Sequence, residues 1–105
     1  MNPNDTSRAA LPELRRAGAR LRQNLQVAWR AIDGESVLID PTTGTVFVLN
    51  GVGSRVWSLL EEPRTQDELT DTIAAEHELP ADAIAPDIDA FVASLDERRL
   101  IEVMP

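Results

Sequence analysis

The sequence predicts an α+β domain in which a three-stranded antiparallel meander precedes three helices. Residues 26–49 contain three short runs of β-branched and apolar side chains, and the turns between them are too short for a crossover helix. Residues 51–99 then carry apolar side chains at helical spacing, with prolines between the periodic stretches. At 105 residues the chain has room for one domain with a modest core.

The first 25 residues are predicted to be an N-terminal extension, and residues 26–105 the domain itself. Residues 1–7 are polar and typical of a frayed tail. Apolar side chains then recur at steps of three and four, at Leu11, Leu14, Ala17, Leu21 and Leu25. This spacing predicts an amphipathic helix, although residues 19–22 fit a short strand equally well. Three roles stay open: a disordered tail, a helix docked on the acidic body or on a second copy, and a handle for a partner enzyme.

The three strands are predicted over residues 27–32, 36–40 and 45–49. The dipeptide Asp33-Gly34 is a strong hairpin signal, and the segment from Pro41 to Gly44 forms the next turn. Consecutive strands joined by such short turns pair antiparallel. The third strand is therefore expected to have a neighbour on one side only.

Three helices are predicted to follow the strands. The first covers residues 51–62, with Asn50 as its N-cap, and ends at a proline. Thr65-x-x-Glu68 is a capping box that starts the second helix, which ends near residue 77. Asp82 is expected to cap the third helix. The apolar stripe of this helix is Ile84, Ile88, Phe91, Val92 and Leu95. Residues 100–103 are expected to form a short strand.

The charge is strongly uneven along the chain. Eighteen acidic residues against ten basic ones, all of them arginine, give a net charge of −8. Residues 1–35 contain six arginines and four acids, a net of +2, whereas residues 36–105 contain four arginines and fourteen acids, a net of −10. Nucleic-acid affinity depends on placing cations against phosphates. The acidic body therefore predicts no nucleic-acid partner.

Several classes of protein are excluded by what the sequence lacks. Without cysteine there are no disulfides, no thiolate catalysis and no cysteine-based metal sites. No apolar run is long enough to span a bilayer, and no secretory signal is evident, so we expect a cytoplasmic protein without membrane contact. His77 is the single histidine, and no serine lies in a nucleophile elbow. We therefore predict that the protein is not an enzyme and needs no cofactor. Trp29 and Trp57 are predicted to be core residues and not ligand contacts.

What remains is binding. A three-stranded meander followed by three short helices is the arrangement of winged helix-turn-helix-like domains, which offer a recognition helix or an exposed strand edge. The helices here are acidic, so the open edge of the third strand is the better candidate. Such an edge accepts a partner peptide as an added strand. It also leaves self-association into a homodimer open.

Five segments together resemble the PqqD-like family. They are DGESVLID with GTVFVLN at residues 33–50, similar to "dG-x-x-vlLd…G-x-x-x-x-LN"; GSRVWSLL at 53–60, similar to "ga-x-x-iW-x-ll"; RTQDEL at 64–69, similar to "rT-x-x-El"; DIDAFVASL at 87–95, similar to "Dv-x-x-fl-x-x-L"; and RLI at 99–101, similar to "gLi". The likeness covers about residues 26–103, and the segments occur in the family's order.

The resemblance implies a recognition domain that binds the leader of a ribosomally made precursor peptide. It would present that peptide to a modifying enzyme, such as a radical SAM enzyme, a protease or a cyclase. In the family the leader adds to the third strand and packs against the third helix. Carried onto this sequence, that implies a site at Thr45, Val46, Phe47, Val48 and Leu49, with Asp87 and Phe91 on matched motif positions.

Helical geometry adds Ser94 and Arg98 to this implied site, because they project on the same flank as Asp87. Alternation along the strand places Phe47 and Leu49 on one face and leaves the two valines on the other.

Two other functions stay open. One is a transcriptional regulator that uses the same scaffold on DNA, and the other is an assembly subunit that binds a folded protein.

Overall fold

The computed structural model describes residues 13–15 and 17–104, and within them the chain is an α+β domain. Residues 13–15 are helical. The elements that follow are β1 Arg20–Gln23, β2 Ala28–Ile32, β3 Glu35–Ile39, β4 Val46–Leu49, α1 Gly51–Leu59, β5 Arg64–Thr65, α2 Gln66–Glu76, α3 Ala81–Glu97 and β6 Ile101–Met104. The predicted α+β class is confirmed. The predicted tail over residues 1–7 lies outside the described residues.

One sheet is the predicted meander, in the order β2-β3-β4. Both pairs are antiparallel, with Trp29 opposite Leu38 and Leu38 opposite Phe47. The β2–β3 turn has positive φ at both central residues, 50° at Asp33 and 80° at Gly34. This is the geometry of a type I′ hairpin, whose twist matches that of the strands it joins.

The second sheet, β5-β1-β6, was not predicted as a sheet. Its central strand β1 pairs with β6 over four residues, from Arg20 opposite Met104 to Gln23 opposite Ile101. An amphipathic helix through Leu25 is therefore wrong. Leu21 is fully buried, whereas Leu25, on the same predicted stripe, is 74% exposed. The short-strand alternative matches β1, because this segment alternates inward and outward at period two.

Helices α2 and α3 begin and end close to their predicted bounds, whereas α1 ends at Leu59, three residues earlier than predicted. The Thr65 hydroxyl accepts from the Glu68 N–H at 3.1 Å, and the Glu68 carboxylate accepts from the Thr65 N–H at 3.0 Å, which confirms the capping box. Helix α3 is capped by Pro80, whereas Asp82 lies inside its first turn, so that part of the prediction is wrong. The backbone of Pro80 is extended, and its carbonyl accepts from the N–H of Ala83 at 3.0 Å. The helix therefore starts two residues earlier than an Asp82 cap would allow.

The core lies between the two sheets and the three helices. Trp57 on α1 is fully buried and meets Trp29 of β2 edge to face, with ring centroids 6.1 Å apart. Gln23 donates from its amide to the Trp57 carbonyl at 2.8 Å and so ties β1 to α1. The other fully buried side chains include Leu21, Leu38, Val56, Leu60, Leu69, Val92 and Leu100. Within the part of the chain that is described, no helix has the length and apolarity needed to cross a membrane.

Candidate functional site

The edge of β4 is open. Among the described residues, β4 pairs with β3 and has no strand on its other side. The N–H of Asp40 donates to the carbonyl of Thr45 at 2.9 Å, which fixes the phase of the ladder. Successive residues of an antiparallel strand direct their N–H and C=O groups alternately toward and away from the partner strand. Thr45 bonds to the β3 side, so Phe47, two residues further on, also bonds to β3. The N–H and C=O groups of Val46 and Val48 therefore face away from the sheet.

The side chains of β4 divide between the two faces of the sheet. Val46 and Val48 are 57% and 58% exposed on the outer face. Phe47 and Leu49 are half-buried and pack against the core. The alternation expected from the sequence is what the strand shows. As a result, the residues that offer backbone groups at the edge are the same two whose side chains lie in solvent.

A shallow depression of about 210 Å³ lies between β4 and α3. The predicted residues Phe47, Val48, Leu49, Phe91, Ser94 and Arg98 line it together with Leu95 and Leu100. We call this depression the β4–α3 groove. Leu95 and Leu100 were not predicted as site residues; the apolar stripe of the third helix contains Leu95 but does not distinguish groove from core. The groove runs beside the open edge, so a strand added to β4 would lie along it.

Arg98 lies at the C-cap of α3 and supplies positive charge to the groove. Its guanidinium carbon is 5.3 Å from the centroid of the Phe47 ring, within the range of a cation–π contact. Its Nε donates to the Ser94 hydroxyl at 3.4 Å. An exposed arginine fixed in this way can bind a carboxylate of a passing peptide without first losing as much side-chain freedom.

The middle of α3 lies close to the start of α1. A Cβ built on Gly53 would lie 3.2 Å from Cζ of Phe91, tighter than an ordinary contact. A glycine at this position therefore lets the Phe91 ring approach α1 at the end of β4. Gly53 is the first residue of the segment GSRVWSLL, which resembles a family motif, but the sequence alone gives no reason why that position should be small.

Two predicted site residues lie apart from the groove lining. Asp87 lines a separate cavity of about 210 Å³, whose other walls are Val52, Ile73, His77, Leu79, Ile84 and Ile88. Thr45 precedes β4 and is exposed, and its hydroxyl is hydrogen-bonded to that of Thr43 at 2.8 Å. Its carbonyl already accepts from Asp40. The structure therefore brings seven of the nine predicted residues along β4 and its facing flank of α3, and leaves Asp87 and Thr45 at the margins.

No group of three or more histidine, cysteine, aspartate or glutamate side chains that could hold a metal ion occurs within residues 13–15 and 17–104. What the arrangement provides is backbone hydrogen-bonding capacity, an apolar wall and one fixed cation. Fold and site together define a small α+β domain built around an open strand edge.

Comparison with known proteins places the chain in a family. The model for coenzyme PQQ synthesis protein D (PqqD) matches residues 35–101. The chain belongs to the PqqD family. A comparison with curated protein sequences finds no match.

Three solved structures share the fold. TbiB1, solved in complex with the TbiA(beta) leader peptide, is 38% identical, with a TM-score of 0.72 over 77% of this chain and 94% of that chain. A lasso peptide synthetase B1 complexed with its leader peptide is 23% identical, with a TM-score of 0.70 over 80% and 99%. The PqqD truncation of Methylobacterium extorquens PqqCD, described as a stand-alone recognition element for ribosomally synthesised and post-translationally modified peptides, is 21% identical, with a TM-score of 0.64 over 79% and 88%.

Proposed function

We propose that this protein binds the leader of a ribosomally made precursor peptide, which adds as a strand to the edge of β4. The observation that carries the proposal is the ladder phase, which turns the backbone groups of Val46 and Val48 outward beside the β4–α3 groove. Strand addition uses backbone bonds for affinity and side-chain pockets for selectivity. Membership of the PqqD family and the leader-bound relative TbiB1 support the same function.

The groove favours a particular kind of peptide. One face of an added strand would pack apolar side chains against Phe91 and Leu95, and a carboxylate near one end would reach Arg98. Of the nine residues expected from the sequence, Thr45 and Asp87 are proposed to contact only the flanks of the bound segment. The cavity beside Asp87 lies near the N-terminal half of α3, where a longer leader would continue.

We further propose that the protein is not itself catalytic and delivers the bound peptide to a modifying enzyme, of the radical SAM, protease or cyclase type. Tethering a substrate in this way raises its effective concentration at the enzyme without any new chemistry in the carrier. Homodimer formation through the same edge would compete with leader binding, because both use the same backbone groups.

A DNA-binding regulator is the second candidate, because the meander and three helices are compatible with a winged helix-turn-helix arrangement. The surface charge argues against it. Helices α2 and α3 carry the acids Asp67, Glu68, Asp71, Glu76, Asp82, Asp87, Asp89, Asp96 and Glu97. Docking such helices against phosphates would bring like charges together.

The experiment is a titration of the ¹⁵N-labelled full chain with the TbiA(beta) leader peptide and with the leader of any precursor encoded beside this gene. Saturable amide shifts are expected in β4 and along the facing flank of α3, with a scrambled leader as the control. Absence of binding by every leader, or shifts centred on the opposite edge strand β2, would contradict the proposed site. Duplex DNA, titrated in parallel, is expected to give no shifts.

A further inference from the structure

A buried arginine joins the segment before β1 to α2 and α3. The side chain of Arg15 is 3% exposed. Its Nη1 donates to Oε1 of Gln66 at 3.2 Å and lies 3.7 Å from Oδ1 of Asp89, while its Nε lies 3.7 Å from Oδ2 of Asp96. Gln66 donates in turn from Nε2 to Oδ1 of Asp89 at 2.8 Å. One guanidinium thus contacts the first residue of α2 and two turns of α3.

The two aspartates lie on the flank of α3 that is opposite the groove. Asp89 and Asp96 are seven residues apart, and the helical period of 3.6 residues stacks them on one side. Phe91 and Arg98 are also seven residues apart, but they stand about half a turn around the helix from the aspartates. A rotation of α3 that loosens the contacts of one pair therefore displaces the other.

The contacts on the groove side are sensitive to such a rotation. The Phe91 ring lies so near Gly53 that a Cβ there would be 3.2 Å from its Cζ, and Arg98 lies over the ring of Phe47. Apolar packing alone tolerates small rotations of a helix, because it is not directional. A planar guanidinium with several charged and polar partners is directional, so it selects one rotation.

We propose that Arg15 is a positioning residue for the β4–α3 groove, holding α3 at the rotation that places Phe91 and Arg98 against β4. The effect on peptide affinity rests on the proposed function, whereas the placement of α3 is a property of the free protein. A residue of the predicted N-terminal extension therefore shapes the binding site by contacting the flank of α3 opposite the groove.

The test compares Arg15→Gln with Arg22→Gln in the full chain. Arg22 is the control, since it is an arginine of the neighbouring strand β1 whose ion pair with Glu102 at 2.8 Å involves β6 and not α3. The first readout is the set of NOEs between the Phe91 ring and Gly53 and between the Phe47 ring and Arg98, measured without peptide. The second is the affinity for the TbiA(beta) leader peptide.

In Arg15→Gln we expect the two sets of NOEs to weaken while the far-ultraviolet circular dichroism stays native, and the affinity to fall about tenfold. Arg22→Gln should keep both at the wild-type level. Wild-type NOEs and affinity in folded Arg15→Gln would overturn the proposal. If that variant does not fold, Arg15→Lys, which keeps the charge and loses the fork, is measured in the same way. Unfolding of both variants would also overturn it, because the arginine would then be required for the whole fold.

The two proposals fail in different ways. If the wild-type chain binds no leader peptide, the proposed function is wrong, yet the NOEs of the free protein still decide whether Arg15 positions α3. If the leader binds equally well to wild type and to Arg15→Gln with unchanged NOEs, the proposed function stands and the positioning role is wrong.

Discussion

The guanidinium carbon of Arg98 lies 5.3 Å from the centre of the Phe47 ring, so the last turn of α3 contacts the strand whose edge is open. This contact joins the two walls of the β4–α3 groove at one end. It also places a cation where the rest of the domain is acidic. A strand added to β4 would therefore meet hydrogen-bonding backbone, apolar side chains and one positive charge within a few residues.

Replacing Arg98 should weaken leader binding through charge. Arg98→Gln is expected to lower the affinity by about 1 kcal/mol and to reduce its salt dependence, since the cation is lost while polarity is kept. Fluorescence anisotropy with labelled leader at two salt concentrations measures both effects. Arg99→Gln is the control, because Arg99 is exposed and does not line the groove. Equal losses in the two variants would show that only overall charge matters.

A proline at the open edge should block strand addition without breaking the sheet. The N–H of Val48 faces outward, so Val48→Pro removes a donor that the peptide needs and none that β3 uses. We expect a loss of about 1 kcal/mol, roughly fivefold in affinity. Val46→Pro should act in the same way.

The matched control for this prediction is Val48→Thr, which keeps the N–H and the β-branched shape. Calorimetric titration with leader peptide measures each variant, after thermal melting has shown that it folds. If binding survives proline at both valines in folded protein, the leader does not add to β4.

Truncation of Trp57 should strongly destabilise the domain. Trp57 is fully buried and contacts the ring of Trp29, so Trp57→Ala is expected to cost about 3–5 kcal/mol. A domain of this size has a total stability of about 5–15 kcal/mol. Denaturant melts followed by circular dichroism measure the loss. An unchanged midpoint would mean that the side chain is a surface contact.

Two leucines of one predicted stripe should behave differently. Leu21 is fully buried in β1 and Leu25 is 74% exposed. Leu21→Ala is expected to lose about 2–5 kcal/mol, and Leu25→Ala to stay within about 0.5 kcal/mol of wild type. Urea unfolding of the pair measures this difference. Similar losses at both positions would restore the helix that the apolar spacing predicted.

The capping box of α2 should contribute to the acid dependence of stability. The Thr65 backbone N–H, and secondly its hydroxyl, lower the pKa of the Glu68 carboxyl. A carboxyl whose pKa is lower in the folded than in the unfolded chain stabilises the fold above the unfolded value, and this contribution is lost as the pH falls through the folded value. Glu68→Gln keeps an acceptor at the cap but no longer titrates. As the pH is lowered from about 5 to about 3, the urea midpoint of Glu68→Gln should therefore fall less steeply than that of wild type. Equal slopes would contradict a stabilising role for the charged Glu68 carboxylate.

Much of the candidate site is local and was therefore predictable. Alternation along residues 45–49 and the hairpin at Asp33-Gly34 are set by neighbouring residues, and the structure has both. The helical period places Ser94 and Arg98 on one flank of α3, whereas Phe91 was implied by the family resemblance. The place of Asp87 does not follow from the helical period, because which cavity a helical residue lines depends on how α3 crosses α1.

The sequence by itself determined the meander, the three helices, the capping box and the two valines of the open edge, since each depends on contacts within a few residues. The sequence left residues 19–22 open between helix and strand. Only the tertiary structure decided that residues 20–23 are a strand, because their partners in β6 lie about 80 residues away along the chain. It also decided the burial of Arg15. A charged side chain leaves water only where several polar partners meet it, and Gln66, Asp89 and Asp96 are brought together by folding alone.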